Sequence, residues 1–507
     1  MEASPLEIYR GACAREGVEP DEHIADVLAS VTPSKPLLEL TASERVLGRN
    51  GAAALAGFLA EDTMILQLKV ESCELFDAGF QHVCEGLSRH PSVFRLDAGY
   101  NGIRALKPAA RLINISPSLL CLDLSGNSLA PSLLGWSPLA PLGEALASDL
   151  CRLQLLQVGN CDVGMRGVEA LVEGLERNRS VVNLVMDENK LGPRSAPAIA
   201  RLLTHNRTLT SLDLRHNQLR NEGIDIIAPA VEANRSLGCL VLWNNAMSPA
   251  GAARLAAAVE KNQGLEVLDI GANLLGFHGA DMFKAALGRN QRLHTLGLAS
   301  CQLGSEGIIA MAEALEGNPR LRRIDLRRNE IGLAGLMALA AAMKTNDRLH
   351  DLAIDKPDHD GTGSAGAAGA EDVAPMAEED MALRADLIGR IAAACDANAA
   401  ASGGASAPRS LQKPQPPQPR HPAEPTAPVL PTPPATGDAA AAQASSAKPA
   451  PYAQPHGRDE QSPVAAAPLG AAASGACYVK VRMAAASDSS VSLTLTVASD
   501  TSRELEV

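Results

Sequence analysis

The chain has 507 residues, 46% hydrophobic but only 2% aromatic, so a large core is available and must be built from Leu, Val, Ile and Ala. A net charge of −13 argues against a general nucleic-acid footprint, and no apolar run reaches the roughly 18 residues of a transmembrane helix. The ten cysteines are scattered with no Cys-x-x-Cys pair, and the first ten residues do not read as a signal peptide. Reduced thiols and a cytoplasmic location, extending to the nucleus, are therefore expected.

Residues 1–36 show two stretches of helical spacing, 5–15 (Leu6, Tyr9, Cys13) and 20–30 (Ile24, Val27, Leu28). They predict a helical cap over the first repeat. From Leu37 the phrase L-x-x-L-x-L-x-x-N/C-x-L recurs, with further starts at Ile65, Val93, Leu119 and Leu153. It continues at Val181, Leu209, Leu237, Leu265, Leu293, Leu321 and Leu349, each 28 residues after the last. The first phrase is the weakest, with Arg45 where Asn or Cys belongs. The step from Leu119 to Leu153 is 34 residues and carries Pro131, Pro138 and Pro141, which predicts a loop-like insertion over 130–149.

Within each phrase the L-x-L part reads as a short strand with alternate side chains inward. Asn, or Cys at Cys73, Cys161 and Cys301, supplies a small buried group for the turn. A helix comes next, because Leu171, Ile199, Ile227, Leu255, Phe283, Met311 and Leu339 share one offset and apolar residues recur four places on. Gly167, Gly223, Gly251, Gly279, Gly307 and Gly335 mark the helix start. Asn178, Asn206, Asn234 and their successors mark its end, through a left-handed conformation. Three of these asparagines match glycosylation sequons, but their fixed place in the repeat makes them turn residues. The whole is an α/β leucine-rich-repeat horseshoe of about twelve repeats over 37–356. It is a ribonuclease-inhibitor-like solenoid with parallel strands on the concave face and helices on the convex face.

Residues 357–475 form a low-complexity Gly/Ala/Pro-rich linker, with helical spacing over 371–400 (Met381, Leu383, Leu387, Ile388, Ile391) that predicts a helix docked on the last repeat or standing alone. In 476–507, two alternating stretches, 477–483 and 491–497, predict strands that pair with each other, join the sheet edge or remain single.

No catalytic, cofactor-binding or metal-ligating constellation is present in the sequence, which reads as a non-enzyme. The informative positions are the outward ones of the strands. Six places into the phrase they read Asp187, Arg215, Trp243, Gly271, Ala299 and Arg327, and one place on Glu188, His216, Asn244, Ala272, Ser300 and Arg328. Asp213, Asp269 and Asp325 form an acidic line. Trp243, with room beside it at Gly271 and Ala272, reads as the anchor of a partner-binding surface made by Asp187, Glu188, Arg215, His216, Trp243 and Asn244. Arg327 and Arg328 suit an acidic partner. In the tail, Lys413-Pro-Gln-Pro-Pro-Gln-Pro419 matches a ligand of aromatic-grooved domains, and Leu505-Glu-Val507 offers a C-terminal peptide.

Leu240-Val-Leu-Trp-Asn-Asn245, Leu296-Gly-Leu-Ala-Ser300, Arg323-Ile-Asp-Leu-Arg-Arg-Asn-Glu-Ile331 and the pre-repeat stretch Ile8-Tyr-Arg-Gly-Ala-Cys-Ala14 resemble the protein phosphatase 1 regulatory subunit 37 family over roughly residues 6–357. The resemblance implies a regulatory subunit that binds and inhibits the phosphatase 1 catalytic subunit. That family docks through a basic-Val-x-Phe motif, which this sequence lacks: Val241-Leu-Trp243 has only the apolar part and Lys480-Val-Arg-Met483 only the basic part. Two further readings remain: a general interaction scaffold using the same surface, and a Ran-type GTPase-activating protein, which uses this kind of horseshoe but for which no motif can be assigned.

Overall fold

The computed structural model describes residues 4–32, 37–132, 136–355, 378–402, 477–485 and 491–499. Twelve three-residue strands form one parallel sheet in strict sequence order. They are β1 (Glu39–Thr41), β2 (Gln67–Lys69), β3 (Arg95–Asp97), β4 (Cys121–Asp123), β5 (Leu155–Gln157), β6 (Asn183–Val185), β7 (Ser211–Asp213), β8 (Cys239–Val241), β9 (Val267–Asp269), β10 (Thr295–Gly297), β11 (Arg323–Asp325) and β12 (Asp351–Ala353). The register pairs like with like, Leu184 to Leu212 to Leu240 to Leu268. These leucines are at most 1% exposed, as are the facing helix residues Leu171, Ile199, Ile227, Leu255 and Phe283. The leucine-rich-repeat horseshoe is thus realised with the core between concave strands and convex helices.

Two sets of asparagines tie neighbouring repeats together. In the turn, Asn217 Nδ2 donates to Met186 O (2.8 Å) and Leu214 O (3.0 Å), while its Oδ1 accepts from Asn189 N (2.9 Å). The thiol of Cys161 takes the donor part of this role, to Leu124 O at 3.3 Å, and burial pushes its pKa up to about 12. At the helix exit, Asn206 Nδ2 donates to Leu175 O (2.7 Å) and its Oδ1 accepts from Thr208 N and Leu209 N. The expected left-handed conformation is absent: Asn206, Asn234 and Asn262 are extended, with φ of −73°, −70° and −66°. The extended backbone frees the amide to satisfy the carbonyl of the preceding helix, so the side chain performs the capping. Asn178, Asn206 and Asn234 are only 2–3% exposed, consistent with turn residues whose amides are already engaged.

In the early repeats other residues take this place. His90 Nδ1 accepts from Val93 N at 3.2 Å, with Nε2 3.2 Å from Asp62 Oδ2. Ser116 Oγ accepts from Leu119 N at 3.2 Å. The glycines read as helix starts lie inside the first turn, as Gly167 does in the helix Gly164–Leu175. A Cβ there would meet Val163 Cγ1 at 2.5 Å, so this glycine serves close packing.

The stretch 130–149 is not wholly a loop: the helix Ala140–Leu146 occupies its second half. Pro141 lies in that helix's first turn, where its missing N–H leaves no intrahelical bond unmade. Leu142 and Leu146, four apart, are buried. The helix crosses Gly164–Leu175 at very short range, since a Cβ on Gly143 would collide with Ala170 O.

The helix Pro5–Glu16 begins with a complete capping box between Ser4 and Glu7 and packs Tyr9 edge-on against Phe58, centroids 6.2 Å apart. At the other end the helix Glu378–Ala401 docks on the last repeat, burying Leu387, Ile391 and Cys395. Asn398 Nδ2 donates to Asn346 O and Leu349 O, both at 3.0 Å, much as each helix-exit asparagine does for the repeat before it. These elements belong to one compact unit, Met1–Gly404. In the second unit, Ala405–Val507, the strands β13 (Cys477–Ala485) and β14 (Val491–Ser499) pair antiparallel, Val481 opposite Leu495. The linker from residue 403 to residue 476, with its Lys413 to Pro419 motif, and the final Leu505 to Val507 lie outside the described residues.

Candidate functional site

The twelve-strand sheet lays its outward side chains in rows one strand apart, about 4.8 Å. Asp187, Arg215 and Trp243 come just after β6, β7 and β8 and occupy one row. Glu188, His216 and Asn244 are not on the strands, as their alternation suggested. They sit in the turn beyond, with φ of 54°, 57° and 50°. Left-handed backbone is costly for Glu188 and better tolerated by His216 and Asn244, and each turn extends the sheet's ladder: Glu188 N donates to Arg215 O (3.0 Å), His216 N to Trp243 O (2.9 Å) and Asn244 N to Gly271 O (2.9 Å). These six residues therefore form a contiguous patch two rows deep. Arg327 and Arg328, after β11, stand three strands from Trp243, roughly 15 Å away, and form a separate spot.

The cation of the patch is held in place. Arg215 grips Asp213 with two nitrogens, Nε to Oδ2 at 2.8 Å and Nη2 to Oδ2 at 2.5 Å. Arg327 holds Asp325 in the same way, Nε to Oδ1 at 3.0 Å and Nη2 to Oδ2 at 2.6 Å. Two members of the acidic line are thus neutralised by the residue two places on. Burial pushes the Asp187 carboxyl up to about 6, with Asp213 adding and Arg215 opposing. Asp269 is likewise pushed up to about 6, by burial first, although Gly271 N–H donates to it at 3.0 Å. His216 is shifted down by burial, Glu188 opposing. Its Nδ1 lies 2.8 Å from Asn244 Nδ2, which fits a neutral ring accepting there. Arg328 N donates to Asp355 Oδ2 at 2.6 Å.

The space expected beside Trp243 is filled by Trp243 itself. A Cβ on Gly271 would collide with Cζ3 and Cε3, so the indole lies on the bare backbone of the next repeat. Gly159 serves Asp187 in the same manner, since a Cβ there would collide with Asp187 Oδ1. Gly159 and Gly271 are thus seats for a neighbouring side chain. The ring is left half-buried, pinned on one side.

Sequence reasoning missed the apolar floor near this ring. Cys239 and Val241 are 5% and 3% exposed, and Val185 and Val267 are half-buried on nearby strands. The signal lay in the second and fourth places of the β-strand phrases, where apolar residues replace the charged ones of β1 to β3 (Glu39, Lys69, Arg95, Asp97). Phe76 (57% exposed), the first residue of the helix Phe76–Leu87, and Tyr100 (52%), in a turn, also stand exposed in the early repeats.

The Leucine Rich repeat family matches residues 205–228, 289–312 and 317–340. The chain is similar to mouse NACHT, LRR and PYD domains-containing protein 12, 33% identical over 29% of this chain and 14% of that protein. It is also similar to pig ribonuclease inhibitor, 29% identical over 34% of this chain and 43% of the inhibitor. The chain thus spans less than half the length of these curated relatives. Among solved structures, the leucine-rich-repeat-containing protein LegL7 of Legionella pneumophila is 16% identical with a TM-score of 0.41, over 69% of this chain and 98% of that one. An internalin of Listeria monocytogenes is 16% identical with a TM-score of 0.38, over 70% and 98%.

Proposed function

We propose that this leucine-rich-repeat protein, ribonuclease-inhibitor-like in its repeats, is a non-catalytic scaffold that binds a protein partner on its concave face between Asp187 and Asn244. The observation that carries the reading is the pinned, half-buried indole of Trp243 beside an apolar floor and the fixed Arg215–Asp213 pair. An aromatic ring already immobilised loses little freedom on binding, and a guanidinium held in place needs no reorganisation to meet a partner. Arg327 and Arg328 supply a second contact, and the proline-rich segment beyond residue 402 a third. The same proposal places the protein in the cytoplasm, extending to the nucleus.

The partner favoured by the sequence resemblance is the phosphatase 1 catalytic subunit, inhibited by steric blockade. The name of one relative, ribonuclease inhibitor, is that of a protein that inhibits an enzyme. Calorimetric titration of the phosphatase 1 catalytic subunit into the full chain tests the partner. Binding is expected, with at least tenfold loss in Trp243→Ala and parallel loss of inhibition. A wild-type chain that does not bind removes the phosphatase, and equal binding by both removes Trp243. Acceleration of Ran GTP hydrolysis would replace this reading with a GTPase-activating one.

A further inference from the structure

We infer that the convex face carries a second binding site, a groove between the helices Lys107–Ile115 and Ala140–Leu146 that takes an acidic peptide segment bearing one large apolar side chain. The groove opens where the repeat interval stretches to 34 residues, as the contact of Gly159 N with Ser125 Oγ across that interval records. Its volume is about 430 Å³. Lys107, Ala110, Arg111 and Asn114 all line it, at spacings of three, four and seven, so one whole face of the first helix is turned to it. Glu144 and Trp136 complete the wall, and Trp136 is 53% exposed.

Three independent observations point to an occupant. Elsewhere on the convex face, several cations are paired with carboxylates of the neighbouring helix: Arg201 with Glu176 (2.5 Å), Lys261 with Glu232 (3.3 Å) and Arg289 with Glu260 (2.6 Å). Lys107 and Arg111 have no such partner among the described residues, and two cations face one carboxylate in a chain whose net charge is −13. Asn114 Oδ1 is buried with no hydrogen-bond partner among the described residues, which a native structure rarely tolerates. The exposed indole provides an apolar wall next to both.

A peptide answers all three demands. Its carboxylates meet Lys107 and Arg111, a backbone N–H reaches Asn114 Oδ1, and an apolar side chain covers Trp136. The helix face from Lys107 to Asn114 is about 10 Å long, the reach of about three residues of extended chain.

The test is panning of phage-displayed random 12-residue peptides on the full chain, with counter-selection on the Lys107→Glu/Arg111→Glu variant. Peptides kept by the wild type and lost by the variant are expected to carry at least two acidic residues and one large apolar residue, and to bind the wild type at least tenfold more tightly. Trp136→Ala, at an exposed position, provides a variant that does not depend on charge reversal and is expected to lose at least tenfold. The chain has two tryptophans, so in a Trp243→Phe background the same peptides must shift the emission of Trp136. Trp243→Ala must leave their affinity unchanged, which separates this site from the concave face. The inference is overturned if no peptide discriminates, if the discriminating peptides are neutral or basic, if Trp136→Ala binds as the wild type does, or if the Trp136 emission stays still.

Discussion

The two tryptophans of the chain stand in opposite surroundings. Trp243 belongs to the regular repeats, where every row has a counterpart 28 residues on, and its ring finds a seat on Gly271. Trp136 lies where the interval stretches to 34, and more than half of it faces solvent. Regular spacing hands many polar groups a partner one repeat away, as with Asn217 and the convex ion pairs. Broken spacing withdraws that partner and leaves Lys107, Arg111 and the Asn114 oxygen to be satisfied otherwise. Binding surfaces therefore arise in two ways, by an unusual side chain on a regular lattice or by usual side chains on an interrupted one.

The strongest way to break the regular side is to remove a turn asparagine. Asn217→Ala strands two carbonyls and an N–H in the core and is expected to cost roughly 3 kcal/mol, read from denaturant unfolding. Asn217→Cys is expected to cost about half as much, because the thiols of Cys73 and Cys161 still donate in the same place.

On the interrupted side, Gly143→Ala must push the helix Ala140–Leu146 away from Ala170 O and is expected to cost about 2 kcal/mol. Gly11→Ala, in open space within a helix, is the control and should stabilise by about 0.5–1 kcal/mol. Equal effects at the two glycines would show that the close crossing does not exist.

How much of this was legible depended on whether spacing or chemistry decided the matter. The strands, the inward leucines and the helix faces are dictated by a fixed interval, so residues such as Leu212 and Ile227 could be assigned from the sequence. The helix Ala140–Leu146 could not, because three prolines outweighed the four-residue spacing of Leu142 and Leu146. His90, Asp62 and Ser116 were overlooked as helix-exit residues because they share a position with Asn178 but not its chemistry; their place three before each phrase was the available signal. For the candidate site, the row holding Asp187, Arg215 and Trp243 was readable. That Gly271 would receive the indole was not, since a glycine in a sequence reads equally as a vacancy or a seat.

A smaller effect sharpens that last distinction. Gly271→Ala should unseat Trp243, destabilise by about 1 kcal/mol and move the Trp243 emission to the red in a Trp136→Phe background. No spectral change would mean the ring does not lie there.

Stability also depends on pH. Asp187 and Asp269 have folded pKa values of about 6, above the ordinary 3.8. Between those values the folded chain binds more protons than the unfolded one, so these two groups make stability fall as pH rises from about 4 to about 6. Asp269→Asn removes one of them and should be more stable than wild type at pH 7 while matching it near pH 4, by thermal unfolding at each pH. A wild-type advantage at pH 7 would mean that the carboxylate is stabilised in place.

The central claim is that the concave face around Trp243 receives a protein. A photoreactive benzoylphenylalanine at position 243, compared in cells with the same group at the exposed convex position Ile226, tests it most directly. A discrete covalent adduct with another protein from position 243 and none from 226 is the predicted result. No adduct from 243, or the same adducts from both, would contradict it.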